Sequence, residues 1–333
     1  MLMKKRFILF LVAVLTGAAK VSAQEPYLTL NEDEKTMTFY YDDQKAARGG
    51  EGLDVLAGGG YEKKNMVKTV VFDASFAQFH GLTNMDYWFQ LFQKITEVKG
   101  TENVNTENVT SMISTFQNCT RLENLDLSTW NTSNVEDMTS LFWGCYKLKS
   151  VNLSGWNTGK VTNMLGVFCQ CHELESVDVA GWDVRKVQFF SFLFDDCQML
   201  KEIDISGWNT ESVESGSYLK MFGDCPELTT IYVGDGWTAE KFADAWQMFG
   251  GSEKLVGGQG TTFTGEDTDG IYARVDGGAE APGYLTYKKY TGIQSVKASC
   301  STVDKTVYSL DGKHLKAPRK GINIIGGRKV VVK

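Results

Sequence analysis

The sequence predicts an α/β fold: a solenoid of about seven coils of 26 residues. Each coil is one short helix and one short parallel strand, with β-rich caps at both ends of the array and a small all-β unit after them. Three sets of residues carry this reading. Cys119, Cys145, Cys171 and Cys197 lie 26 residues apart, and Cys225 follows. Trp130, Trp156, Trp182 and Trp208 keep the same spacing, and Trp237 follows. Phe116, Phe142, Phe168, Phe194, Phe222 and Phe249 form a third column in the same register, beside a valine column from Val109 and a leucine column from Leu122. A period of this size marks stacked units, none of which can bury its apolar face alone.

In chain order, residues 1–23 read as an export signal. Lys4, Lys5 and Arg6 precede an apolar stretch from Phe7 to Leu15, shorter than the ~17–25 residues a spanning helix needs. Val21-Ser22-Ala23 then supplies the small residues of a cleavage site. Residues 24–81 are the expected N-terminal β cap. Leu28-Thr29-Leu30 and Thr36 to Tyr41 alternate around a polar turn as a hairpin, and Thr69 to Phe72 is a strand placed to begin a sheet. The array spans residues 82–258. Leu82, Met85, Phe89, Phe92, Ile95 and Val98 mark a degenerate first copy, and Trp246, Phe249 and Leu255 a degenerate last one. Residues 259–292 are the C-terminal cap. Residues 293–333 form a small β tail: a strand at Thr306 to Leu310, a turn at Asp311-Gly312, and two strands between Gly321 and Val332 split by Gly326-Gly327.

Each unit holds two periodicities. Val109, Met112 and Phe116 sit at i, i+3 and i+7, the spacing of one helical face, and the next units repeat it. Leu125-Asp126-Leu127, Val151-Asn152-Leu153, Val177-Asp178-Val179 and Ile203-Asp204-Ile205 alternate as half-buried strands. Alternation puts Asp126, Asn152, Asp178 and Asp204 on the solvent side of the sheet. That column is the candidate ligand-binding site; the plainer alternative is a solvated face. Glu123, Lys149, Glu175 and Lys201 alternate in sign at one equivalent position, so neighbouring coils are expected to pair there. Asn131, Asn157, Asp183 and Asn209 follow the tryptophans and are expected to bond turn backbone with their side chains.

The composition excludes several classes of function. Formal net charge is −7, and it is uneven: residues 1–23 hold four bases and no acid, and residues 313–333 hold seven bases and no acid, leaving −18 between them. An acidic body argues against nucleic acid as partner. After the signal no further stretch is long and apolar enough to span a membrane. The cysteines recur where the pattern calls for a small apolar residue, Ser252 takes that place in the last unit, and seven is an odd number. Buried free thiols are therefore expected in preference to disulfides, and no C-x-x-C pair suggests a metal. Three histidines (His80, His172 and His314) leave little for a histidine-based site. Asp267-x-Asp269 begins like a calcium loop, but Ile271 stands where the next oxygen ligand belongs. No catalytic residues, metal ligands or cofactors are expected.

The unit "NTSNVEDMTSLFWGCYKLKSVNLSGWNT" resembles the repeat of BspA-like leucine-rich-repeat surface proteins of Bacteroides- and Prevotella-type bacteria. "MTFYYDDQK" and "KLVGGQGTTF" followed by "YARVDGGAEAPGYLTY" resemble the segments that flank such arrays. The ending "VYSLDGKHLKAPRKGINIIGGRKVVVK" resembles a type IX sorting region. The resemblance implies a leucine-rich-repeat-like solenoid in a secreted protein, held at the cell surface or outer membrane. It implies binding of a protein or cell-surface ligand without catalysis; the chain itself is expected to be a monomer. The alternatives are a secreted hydrolase acting on glycans or peptides, and a purely structural envelope component.

Overall fold

The computed structural model describes residues 24–213, 218–265 and 269–292, and the backbone of four short strands between 307 and 332. Residues 1–23, the expected export signal, lie outside the described residues. The N-terminal segment folds as the expected hairpin: β1 (Tyr27–Asn31) pairs antiparallel with β2 (Thr36–Tyr40), and Tyr27 faces Tyr40. A two-residue strand β3 (Glu51–Gly52) covers the outer edge of β1. On the other side β4 (Thr69–Phe72) runs parallel to β2, and β5 (Glu97–Lys99) runs parallel to β4. This sheet, ordered β3-β1-β2-β4-β5, carries the chain from hairpin geometry into the parallel geometry of the repeats.

The repeats then stack unit on unit. β6 (Asn124–Asp126) and β7 (Ser150–Asn152) pair in parallel, with Leu125 facing Val151 one period away. β8 (Glu202–Ile205), β9 (Thr230–Val233) and β10 (Leu285–Tyr287) form a second parallel sheet, ordered β10-β9-β8. The strand expected at Val177-Asp178-Val179 is absent from both ladders, so the repeat sheet is interrupted there. Val177 stays half-buried, whereas Leu125, Val151, Ile203 and Ile231 at the same position are buried. The ladder is lost where that side chain leaves the core, while Val179 stays fully buried and the second ladder continues through the same unit.

The expected helices do not form; among the described residues there is no α-helix. Val109, Met112 and Phe116 are fully buried as their spacing requires, but the chain between them is a run of turns. Ser114 and Asn118 have φ of 53° and 60°, and the same left-handed pair recurs at Ser140 and Gly144, Gly166 and Gln170, and Phe192 and Asp196. An α-helix would point every N–H along its own axis. Here the N–H groups of Met112, Ser114, Phe116 and Asn118 reach the carbonyls of Asp137, Thr139, Leu141 and Trp143 in the next unit. The intervening N–H groups of Thr115, Gln117 and Cys119 bond three residues back. A turn that repeats every four residues places 112 and 116 on one side just as a helix does, so apolar spacing does not separate the two. Parallel bridges from Asn84 through Ser111, Asp137 and Asn163 to Phe189 complete this second ladder.

Between the ladders the columns found in the sequence become files of identical contacts. The rings of Phe89, Phe116, Phe142, Phe168, Phe194, Phe222 and Phe249 stack in sequence, with adjacent centroids 5.3 to 6.1 Å apart. Edge-on rings close the file at both ends: Phe39 against Phe89 at 78°, and Tyr284 against Phe249 at 86°. Each such pair contributes about 0.5–1.5 kcal/mol beyond its burial. The indole N–H groups of Trp130, Trp156 and Trp208 donate to carbonyls of the preceding unit at 3.2, 2.9 and 2.8 Å. The buried hydroxyls of Thr106, Thr132 and Thr158 donate forward to the carbonyls of Asn131, Asn157 and Asp183.

The cysteine file is one of free, buried thiols, as expected. Cys119, Cys145, Cys171, Cys197 and Cys225 each direct Sγ to the carbonyl of a phenylalanine in the preceding unit, at 3.0 to 3.3 Å. Ser252 makes the same bond to Phe222 at 2.7 Å. Burial pushes these thiols up, to about 12 at Cys145 and Cys225, so they stay protonated and unreactive at neutral pH. A thiol reagent at pH 8 is therefore expected to spare all six described cysteines in the folded protein and to label them once it is denatured. Rapid labelling of two or more thiols in the folded chain would refute the buried file, since only Cys300 lies outside the described residues.

The C-terminal cap lays β10 beside β9 and places Tyr284 over the end of the ring file. Asp276, only 5 % exposed, ties the cap together. Its carboxylate accepts from the N–H groups of Gln259, Thr261 and Gly278 and from the Thr261 hydroxyl, at 2.7 to 3.0 Å. The calcium-like run falls partly on residues 266–268, outside the described residues; Asp269 accepts from the Gln247 N–H at 2.7 Å. In the tail, β11 (Val307–Tyr308), β12 (His314–Leu315), β13 (Gly321–Ile325) and β14 (Arg328–Val332) pair antiparallel in the order β12-β11-β13-β14.

Candidate binding face

The parallel strands turn one row of side chains inward and one outward, and the candidate column lies on the outward row. Asp126 and Asn152 are exposed and are register partners across β6 and β7. Each also has a local task. Asp126 accepts the Ser128 N–H at 2.9 Å, and Asn152 accepts the N–H and hydroxyl of Ser154 at 3.2 and 2.6 Å. Asp178 is exposed but stands in the unit outside the ladder. Asp204 accepts the Ser206 N–H at 2.9 Å and meets the Lys288 ammonium at 2.5 Å. Burial acts to raise its carboxyl, but the bonds from Lys288 and Ser206 outweigh it and hold the group below its ordinary range. The column is thus not one uniform acidic strip. Its upstream end faces solvent, and its downstream end is engaged by the chain itself.

Tyr287, Lys288 and Tyr290, 83 to 86 residues beyond Asp204, reach this face, and no periodic signal in the sequence points to them. Lys288 lies 4.6 Å over the Tyr232 ring, and the Tyr287 hydroxyl donates to Asp235 at 2.9 Å. Of the expected coil-to-coil ion pairs, Glu123–Lys149 forms at 2.8 Å. Glu175 and Lys201 make none among the described residues; the pairing moves to the column two residues earlier, as Lys147–Glu173 and Lys254–Glu227. Asn131, Asn157, Asp183 and Asn209 do cap their own turns, accepting from Ser133, Gly159, Arg185 and Glu211.

Two further clusters lie away from this face. His172 has partners that sequence spacing did not name: Asp196 at 2.9 Å and the Tyr146 ring stacked at 4.7 Å. Beside it, burial chiefly pushes the Asp195 carboxyl up to about 6, while the Cys169 thiol next to it is pushed up by burial and by Asp195. Burial therefore disfavours the thiolate form of Cys169. An open cleft of about 470 Å³ separates the N-terminal cap from the first unit, with Leu53, Phe79 and Trp88 among its apolar walls and Asp54 among its polar ones. No lysine, arginine or histidine lines it.

A family model described as "Mycoplasma protein of unknown function, DUF285" matches residues 68–151 and 145–259, together more than half of the chain. The chain belongs to this family. The DUF285 matches meet near Cys145 and cover the units from β4 to the start of the C-terminal cap. Among solved structures, a leucine-rich cell surface protein of Faecalibacterium prausnitzii is 16 % identical, with 69 % of this chain and 80 % of that one covered at a TM-score of 0.25. A leucine-rich-repeat protein of Bacteroides ovatus is 14 % identical, with 71 % and 70 % covered at a TM-score of 0.22. No curated protein matches the chain.

Proposed function

We propose that this DUF285 protein is exported and held at the cell surface, where its stacked units act as a leucine-rich-repeat-like solenoid. It binds a protein or cell-surface ligand on the outward strand face, without catalysis. One observation carries the reading: the repeats commit their reactive groups inward and present one regular polar face outward. Six thiols are buried, the indoles of Trp130, Trp156 and Trp208 and the hydroxyls of Thr106, Thr132 and Thr158 are spent on neighbouring units, and the Asx side chains after the tryptophans are spent on their own turns. What remains is the solvent-facing row with Asp126 and Asn152, with Asp178 exposed beyond them and Asp204 already met by Lys288, and such extended surfaces are what stacked-repeat proteins use for binding.

The test is retention. Immobilised full-length protein is expected to retain a partner from host matrix or neighbouring bacteria. A double substitution, Asp126→Lys with Asn152→Lys, is expected to cut retention about tenfold or more by placing two cations on the exposed register pair. Unchanged retention by a variant with an unchanged thermal transition would eliminate this face as the binding surface. Removal of the protein from intact cells by added protease checks its placement.

A further inference from the structure

The cleft between the N-terminal cap and the first unit is walled by side chains that the repeat pattern does not call for. In the units that follow, the position of Trp88 is held by Thr115, Leu141, Val167 and Leu193, so stacking does not require an indole there. Trp88 is 6 % exposed and lines the cleft. The indole N–H groups of Trp130, Trp156 and Trp208 donate to carbonyls of the preceding unit. That of Trp88 meets no acceptor among the described residues. It is not sealed in either: the wholly buried side-chain polar atoms without a partner belong to Tyr61, Asp195, Ser206 and Tyr284. The N–H therefore reaches the surface, and the surface that Trp88 has is the cleft wall. The apolar walls are fixed in place. Phe39 stacks on Trp88 at 5.6 Å, and Tyr41 and Phe76 hold the Phe79 ring at 5.4 and 5.7 Å. The two carboxylates differ in freedom. Asp86 accepts from the Ser111 hydroxyl, the Ile113 N–H and the Asn84 amide at 2.6 to 2.9 Å. Asp54 is exposed and has no hydrogen bond or ion pair among the described residues.

We propose that this cleft is a binding site for a neutral saccharide, separate from the outward strand face. None of Asp126, Asn152, Asp178 and Asp204 lines it. The groups on its walls select the ligand by elimination. An anion meets Asp54 and Asp86 and no base. A wholly apolar molecule leaves the Trp88 N–H and the Asp54 carboxylate stripped of water and without partners, which costs affinity. An organic ammonium pairs with Asp54 but offers the Trp88 N–H no acceptor. A sugar ring answers each group at once. Its hydroxyls donate to Asp54, a hydroxyl or ring oxygen accepts from Trp88, and its C–H face lies against Leu53 and Phe79. The volume of about 470 Å³ is that of a small-molecule site, and apolar and aromatic walls with a few placed polar groups are the usual lining of one. Because the rings are already held by Phe39, Tyr41 and Phe76, little has to be ordered when the ligand enters.

The experiment titrates the full-length protein by isothermal calorimetry. The probes are the methyl glycosides of glucose, galactose, mannose and N-acetylglucosamine, the disaccharides cellobiose and lactose, and glucuronate and choline as charged controls. At least one neutral sugar is expected to bind saturably, with glucuronate and choline about tenfold weaker or more. Asp54→Ala, a change at an exposed position, is expected to weaken that sugar about tenfold or more through loss of a charge-assisted hydrogen bond. Trp88→Phe keeps a ring against Phe39 and removes the N–H, and is expected to weaken the sugar about fivefold with no change in the response to choline. Should Trp88→Phe not fold, Asp54→Ala carries the comparison alone. Failure of every neutral sugar to bind, binding of glucuronate or choline as tight as that of the best sugar, or unchanged affinity in Asp54→Ala would each overturn the proposal. The retention test on Asp126 and Asn152 reads a different surface, so the two readings fail separately.

Discussion

Phe168→Ala is expected to destabilise the array by about 4 kcal/mol, the cost of deleting a large buried ring and leaving a cavity behind. Phe168 is the middle member of the ring file, between Phe142 at 5.6 Å and Phe194 at 5.4 Å, with Trp182 at 6.2 Å on its flank. Its neighbours have no freedom to close the gap. Each unit is fixed to the next by N–H groups that cross between units on both sides of this position, such as Phe142 to Val167 and Phe168 to Leu193. A loss of that size is a large share of the ~5–15 kcal/mol that holds a domain folded. Stacked units touch only their neighbours, so the loss falls on one junction and uncouples the units before it from those after it. Urea unfolding followed by circular dichroism is expected to show an earlier transition that broadens or splits in two. Phe168→Leu, which keeps most of the volume, is expected to restore a single transition. A cost below about 1 kcal/mol would mean that the ring file does not hold the units together.

The ring file was legible because it is redundant. A residue repeated at one register in six units announces that its surroundings repeat too, and the same holds for the thiols, the indoles and the Asx turns. Ser252 shows how far this goes: it stands where a cysteine is expected and makes the thiol's bond to the same carbonyl. The turn runs were misread for a physical reason. Val109, Met112 and Phe116 report only which side of the chain is buried, and a four-residue turn repeat buries the same side as a helix. What decides between them is where the N–H groups of Ser114 and Asn118 go, and that destination lies one period away. Alternation accounts for the exposure of Asp126, Asn152 and Asp178, but it carries no sign that Lys288 engages Asp204. Lys288 and Tyr290 reach Asp204 and Gly207 from outside the array, and a contact that occurs once leaves no periodic trace. His172 was missed similarly, because Asp196 and Tyr146 belong to neighbouring units and do not repeat as a set.

Acid is expected to release the C-terminal cap before it unfolds the repeats, and Asp276 is the reason. Burial alone would raise its carboxyl; the Thr261 hydroxyl and the N–H groups of Thr261, Gly278 and Gln259 outweigh burial and hold it at about 2. In the unfolded chain an aspartate titrates near 3.9, so the fold favours the ionised form by about 2–3 kcal/mol. The folded value lies below the unfolded one. The contribution is therefore complete above about pH 5, declines below pH 4, and is lost as pH falls through 2. Asp276→Asn removes it at neutral pH as well. The carboxylate receives two donors on each oxygen, so either orientation of an amide sets its NH₂ against N–H groups that need an acceptor. Release of these bonds frees the stretch from Gln259 to Gly278 and uncovers Tyr284, the edge-on ring that closes the file at Phe249. Limited proteolysis of the variant at pH 7 is expected to cut within 259–283 while the units upstream of β9 stay protected. Hydrogen exchange of the unaltered protein, compared between pH 5 and pH 2 after correction for intrinsic rates, is expected to localise the same opening. Equal protection of cap and repeats at pH 2, or an Asp276→Asn variant with an intact cap, would show that this carboxylate does not hold the end of the array.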